Sequence, residues 1–283
     1  MQIHRKNGRS ILHNLSATVL SMVIALIVIL VIALIASKVI PNLTSGSYEN
    51  FAQNTSNRIS YVENEMYNRW TAIDSFIPRF IDDFPDEISD EKKMSDSQVL
   101  TYFENNISTL ITMLRDTKTT GSFIILNDNN ADTQTHSCLY LTDGDPYYND
   151  LQNNSDLQML KGPWEFLNQY KIPLHMSWNY GLTLSEDNED MFYKPFNAAQ
   201  SIKEYEHLGY WHISKSLYDK NASVITYTMP LVSKTGYVFG VVGIEISQDY
   251  LYKMLPKDEL SSNKFSGYAL AQQDKQGNMV SKI

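Results

Sequence analysis

The chain has 283 residues, of which 43% are hydrophobic and 12% aromatic, a content that argues for a folded core and against a disordered stalk. Four of its 23 basic residues (Arg5, Lys6, Arg9 and Lys38) and none of its 32 acidic ones precede residue 41, so the remainder carries a net charge of −13. A surface of that sign repels phosphate backbones and excludes nucleic acid as a partner. Cys138 stands alone, so no intrachain disulfide forms. Its place in the apolar run 138–141 makes it a small buried residue rather than a reactive thiol.

Residues 15–36 form an uninterrupted run of 22 uncharged, mostly apolar residues. As a helix the run spans about 33 Å, against a hydrocarbon core of roughly 30 Å. A cleaved signal peptide has a shorter apolar run and a small-x-small cleavage site, and neither is found here. The basic residues Arg5, Lys6 and Arg9 precede the run and only Lys38 follows it closely, which places residues 1–14 in the cytoplasm, 15–40 in a bacterial cell membrane and 41–283 outside.

Pro41 is expected to end or kink that helix. Apolar residues then recur in steps of three and four from Tyr48 through Ile59, Val62, Trp70 and Phe80 to Phe84, which predicts one long amphipathic helix, bent near Pro78 and stopped at Pro85. A second helix is predicted over 97–115, capped by Asp96 or Ser97. The period then changes. Residues 122–127 and 137–142 read as a hairpin, 155–170 as a helix interrupted at Gly162-Pro163, and 224–232 and 237–247 as strands around a Gly236 turn. A short helix follows at 248–255, and 267–280 reads as a further hairpin with its tip at 274–278. The plan is α+β with an antiparallel sheet. The chain stops just after the last hairpin begins, so a fragment of a longer receptor is expected.

The stretch from Gly209-Tyr210-Trp211-His212 through Tyr218-Asp219 and the strand 224–231 to Gly240-Val241-Val242-Gly243-Ile244-Glu245-Ile246 resembles the double Cache family of extracytoplasmic sensor domains. The resemblance covers roughly residues 15–256. It implies a long helix and a membrane-distal PAS-like subdomain within 41–256, the start of a second PAS-like subdomain at 257–283, and a parallel homodimer paired through the long helix. It also implies a small-molecule-sensing input module. The output, a diguanylate cyclase or histidine kinase, would lie beyond this chain, so no catalytic residue is expected here. Tyr218 matches the family's second ligand-binding Tyr, and Glu245 matches the Asp that holds a ligand's ammonium group. Where the family carries an Arg and a Trp, this chain has Tyr193-Lys194-Pro195-Phe196, so no guanidinium is present there to clamp a carboxylate.

Read without the family, aromatic residues from Trp178 to Tyr227 concentrate mostly in segments that look like loops, where binding sites sit. They serve as pocket walls or as core. Glu245 interrupts an apolar strand with Val241 and Gly243 on its own side, facing solvent or a pocket. The expected ligand site is Tyr193, Trp211, Tyr218, Asp219, Tyr227 and Glu245, for an amine-bearing molecule. Asp128-x-Asn130-x-Asp132 imitates a calcium loop but lacks its Gly and Glu. His207 and His212 lack the further ligands of a zinc site. No metal or cofactor is expected. The other reading is a membrane-anchored surface binding protein without signalling output.

Overall fold

The strand Val238–Ser247 is apolar on both sides, with nine of its ten residues buried, so both sheet faces must be covered. The computed structural model describes residues 8–36, 39–89, 92–128, 135–148, 153–202, 208–219, 221–255, 271–273 and 276–282. It divides into two units, Met1–Ser60 and Tyr61–Ile283.

The first unit holds helix α1 (Gly8–Ala36) and most of α2 (Val39–Asn68). Among the described residues, no helix is long and apolar enough to cross a membrane. The stretch of α1 with continuously described side chains, 18–33, is shorter than the roughly 20 residues of a span. The expected span thus lies partly outside the described side chains.

The second unit opens with a correction. The single long helix expected to Phe84 ends at Asn68. A 3-10 helix over Trp70–Phe76 follows, and then α3 (Ile77–Asp82), which has Pro78 in its first turn. The buried residues are Trp70, Ile73 and Phe76, three apart, and a helix of three residues per turn lines them on one side. An α-helix would splay them. Helix α4 (Asp96–Thr117) is capped by Ser95, not by Asp96 or Ser97. The Ser95 hydroxyl accepts from the Gln98 N–H and the Gln98 side chain accepts from the Ser95 N–H, a reciprocal capping box.

The sheet contains β1 (Gly121–Leu126), β2 (His136–Asp143), β3 (Leu157–Lys161), β4 (Leu174–Asn179), β6 (Tyr210–Lys215), β7 (Ser223–Val232) and β8 (Val238–Ser247), with β5 (Gly181–Leu182) pairing β2. The order is β4-β3-β2-β1-β8-β7-β6. All pairs are antiparallel except β3 with β4. The expected helix over 155–170 is instead β3 plus the short α5 (Phe166–Tyr170). Gly162, at φ 133°, and Pro163 end the strand. Residues 190–201, expected as loop, form helix α6 (Asp190–Ser201). Helix α7 (Gln248–Met254) and the hairpin of β9 (Ala271–Gln273) with β10 (Met279–Lys282) complete the described chain. The hairpin tip at 274–275, most of the segment before β9, the calcium-like loop at 129–134 and His207 lie outside the described residues.

Strand alternation sorts the core into two sets. Ile124, Leu139, Tyr227, Val242 and Ile244 pack with Trp70, Phe80 and the apolar face of α4. Phe123, Cys138, Tyr140, Leu160 and Val241 pack with Met191, Phe192 and Phe196 of α6. The sheet is thus the middle of three layers. Gly240 lets its middle strands close up, since a Cβ there would stand 2.3 Å from the Ile125 backbone oxygen. Gly240→Ala is expected to cost about 1–3 kcal/mol through overpacking, while Gly144→Ala, with nothing within 4 Å, should be near neutral. Thermal unfolding of the two variants checks this. Equal midpoints would contradict the close approach.

Candidate functional site around Glu245

Five residues form one row across the α6 side of the sheet: Thr142, Gly121, Glu245, Thr226 and His212. The next row is Tyr140, Phe123, Gly243, Thr228 and Tyr210. Glu245 lies at the centre of the first and is 1% exposed. Its side chain shares a side with Val241 and Gly243, as the alternation predicts.

Two glycines make room for it. A Cβ at Gly121 would press on the Glu245 Cβ and the Tyr140 ring, both at 3.1 Å. A Cβ at Gly243 would stand 2.6 Å from the Phe123 ring, which stacks on Tyr140 at a centroid distance of 4.9 Å. So placed, Tyr140 donates its hydroxyl proton to Glu245 Oε2 at 2.5 Å. Glu245 Oε1 is buried without a hydrogen-bond partner among the described residues. Burial pushes the carboxyl up to about 7, against the opposing pull of the Tyr140 hydrogen bond. Burial also raises the Tyr140 hydroxyl, and the Glu245 charge adds to that.

The expected site residues do not all meet. Tyr218 stands near Glu245, whose charge helps burial raise the Tyr218 hydroxyl, and its ring lies 4.9 Å from that of His175 on β4. Tyr193, on α6, packs on the same side as Tyr140, against Phe192 and His136. Trp211 and Tyr227 point to the opposite face, where their rings lie 4.7 Å apart and Trp211 meets Trp70 at 6.2 Å. They are core there, because odd-numbered residues of β6 and β7 face α4 and the 3-10 helix. Asp219 is exposed and accepts from the Asn221 N–H at 2.9 Å, so it shapes a turn.

Sequence reading missed two neighbours. Tyr140 sits in an apolar run and reads as core, though the same alternation that orients Glu245 could have flagged it. His212 reads from the sequence only as an incomplete zinc ligand. A cavity of about 560 Å³ opens beside this region, lined by Thr142, Asp143, His175, Tyr218, Asp249 and Tyr250 among others. Glu245 is not in its lining, and Tyr218 borders both. Burial pushes the Asp143 carboxyl up to about 6. The Asp156 carboxylate at the same cavity is paired with Arg115 at 3.1 Å. Among the described residues no cluster of three His, Cys, Asp or Glu could hold a metal. Cys138 is buried, and burial raises its thiol, leaving it unreactive.

No family model matches the chain, and no curated protein matches it in sequence. Among solved structures it is similar to the extracellular domain assigned to a histidine kinase, at 18% identity and a TM-score of 0.43, over 83% of this chain and 70% of that one. It is also similar to a methyl-accepting chemotaxis protein, at 18% identity and a TM-score of 0.30, over 59% of this chain and 54% of that one.

The Glu245 carboxyl makes stability depend on pH. Its folded value of about 7 lies above the unfolded one near 4.3, so the folded state holds the proton longer. Below about pH 4 both states are protonated and the group costs nothing. From there the cost grows as pH rises to 7 and is constant above. Glu245→Gln removes this loss. Its stability advantage over the wild type should widen between pH 5 and 8 by on the order of 2 kcal/mol. Denaturant unfolding at both pH values measures it, and a pH-independent difference would contradict the assignment.

Proposed function

We propose that residues 61–255 are the extracytoplasmic input domain of a membrane-anchored receptor and that they bind a small organic cation at Glu245. The observation that carries this reading is a buried carboxylate with one oxygen unpartnered on a strand otherwise filled by apolar side chains. Such a group is costly to bury alone and is stabilised when a cation takes the free oxygen. Tyr140 holds the other oxygen and so fixes the carboxyl's direction. In this reading the approach is the cavity beside Tyr218, whose ring is 37% exposed and lines it. The Glu245 to Gln change keeps the shape and removes the charge. In a thermal-shift screen of amines, amino acids, purines and organic acids, a cationic ligand should emerge, and Glu245→Gln should weaken it about ten- to a hundredfold. Unchanged affinity in the folded variant, or a screen yielding only neutral or anionic ligands, would sink the reading.

The anchor in this proposal is α1. Leu20, Leu26, Val28, Ile29, Leu30 and Ile32 are all exposed, on every side of a 29-residue helix with no charge from residue 15 to 36. A helix apolar all round is unstable in water and stable in lipid. The basic residues before it orient the N-terminus to the cytoplasm. Two copies would pair through α2, whose Phe51 and Ile59 are exposed. Single cysteines at Ile59 and Val62 should crosslink between copies in membranes. Failure at both positions and at their neighbours would refute the pairing.

A further inference from the structure

The cavity of about 560 Å³ has a volume within the roughly 300–1,000 Å³ of small-molecule sites, and a buried carboxylate stands in its wall. Asp143, the last residue of β2, lines it and is 3% exposed. Its backbone N–H donates to the Thr120 oxygen at 2.9 Å, which fixes it at the end of the sheet. Its Oδ1 accepts from the Asp145 N–H at 2.8 Å, and no donor among the described residues takes Oδ2. Gly144 is also in the lining. Its chain neighbours apart, no heavy atom lies within 4 Å of where a Gly144 Cβ would stand, so there is open space beside the carboxyl.

The other charges at the cavity are offset. The Asp156 oxygens accept from the Arg115 guanidinium at 3.1 and 3.4 Å. Asp249 and Lys253 are exposed members of the lining, opposite in sign and four residues apart on α7, where solvent screens both. His175 Nδ1 accepts from the Ser177 N–H at 3.0 Å, and burial lowers the ring's basicity, so the ring is neutral at pH 7.5. Asp143 is the charge left uncompensated. Burial pushes its carboxyl up to about 6, with Asp156 adding to that against the Asp145 N–H bond and Arg115, so it is ionised at pH 7.5. A carboxylate withdrawn from water is costly alone and is stabilised by a cation.

We propose that this cavity is a binding site in its own right, which takes a small aromatic amine with its ammonium group on Asp143, independently of Glu245. Glu245 is not in the lining, so a molecule in the cavity pairs with Asp143 without needing it. The ammonium N–H groups satisfy Asp143 Oδ2 and its charge. The Tyr218 and His175 rings, 4.9 Å apart, give the cavity an aromatic side for the body of the ligand. A neutral molecule of the same shape leaves the buried charge unpaired, and an anion adds a second charge of the same sign.

Benzylamine and benzyl alcohol share one aromatic body and differ in charge. Their binding to the full chain in lipid nanodiscs at pH 7.5 is measured by calorimetry. Benzylamine should bind at least about tenfold more tightly than benzyl alcohol. Asp143→Asn should remove that advantage and Glu245→Gln should leave it. The Asn side-chain oxygen still accepts from the Asp145 N–H, and Asp143→Ser, whose hydroxyl also accepts, serves if Asp143→Asn fails to fold. Equal binding of the two probes to the wild type, or no binding of either, overturns the proposal without any variant. An advantage that survives in folded Asp143→Asn or Asp143→Ser overturns it as well. Its loss in Glu245→Gln alone assigns the amine to Glu245 instead, and its loss in both variants shows one shared site rather than an independent one.

Discussion

The carboxylate of Glu245, enclosed in the middle of a sheet, is the constraint around which this domain is arranged. A charge in that position requires a donor, and Tyr140 is the donor. Tyr140 reaches it only because Gly121 and Gly243 leave space for the phenol and for the Phe123 ring stacked on it. Thr120 fixes the strand at the same point: its N–H and its hydroxyl both donate to the Glu245 backbone oxygen, and its hydroxyl also accepts from the Ser247 N–H. Ser247 in turn caps α7, whose Tyr250 lines the adjoining cavity. The end of β8 thus joins the buried acid, the cavity wall and a helix start within six residues.

The division of labour between the sheet faces follows from that placement. One face is closed by Trp70, Phe80, Phe103 and Leu110, which are almost fully buried and bear the hydrophobic load. The other face mixes apolar contacts from α6 with the polar row of Thr142, Glu245, Thr226 and His212. Apolar packing and the row of buried polar groups are therefore separated across one sheet thickness, and Trp211 and Tyr227 belong to the first.

The strands around Glu245 were legible because β-branched runs and a Gly236 turn mark them strongly, and period-two alternation put Glu245 beside Val241. The same alternation places Trp211 and His212 on opposite faces. Counting aromatics in a segment hides that distinction, which is why Trp211 was expected in the pocket. The helix over 155–170 was misread because Leu157, Met159 and Leu160 suit either period when taken alone, and only pairing with β2 decides. The break after Asn68 is hidden for a related reason: each single step of three, from Trp70 to Ile73 or from Ile73 to Phe76, is allowed in an α-helix, and only their succession favours a 3-10 helix. Helix α6 was obscured by Pro195, which the helix tolerates in its interior. The unpartnered state of His212 Nε2 is a tertiary property with no local signal.

The protonation of Glu245 is the point on which the account turns, and infrared difference spectroscopy of the wild type against Glu245→Gln reads it directly. The account predicts a protonated-carboxyl band that disappears with a midpoint near pH 7 in the free protein, and at lower pH once a cation occupies the site. A midpoint near the ordinary glutamate value of about 4.3, unchanged by any cation, would show a solvated carboxylate and contradict it.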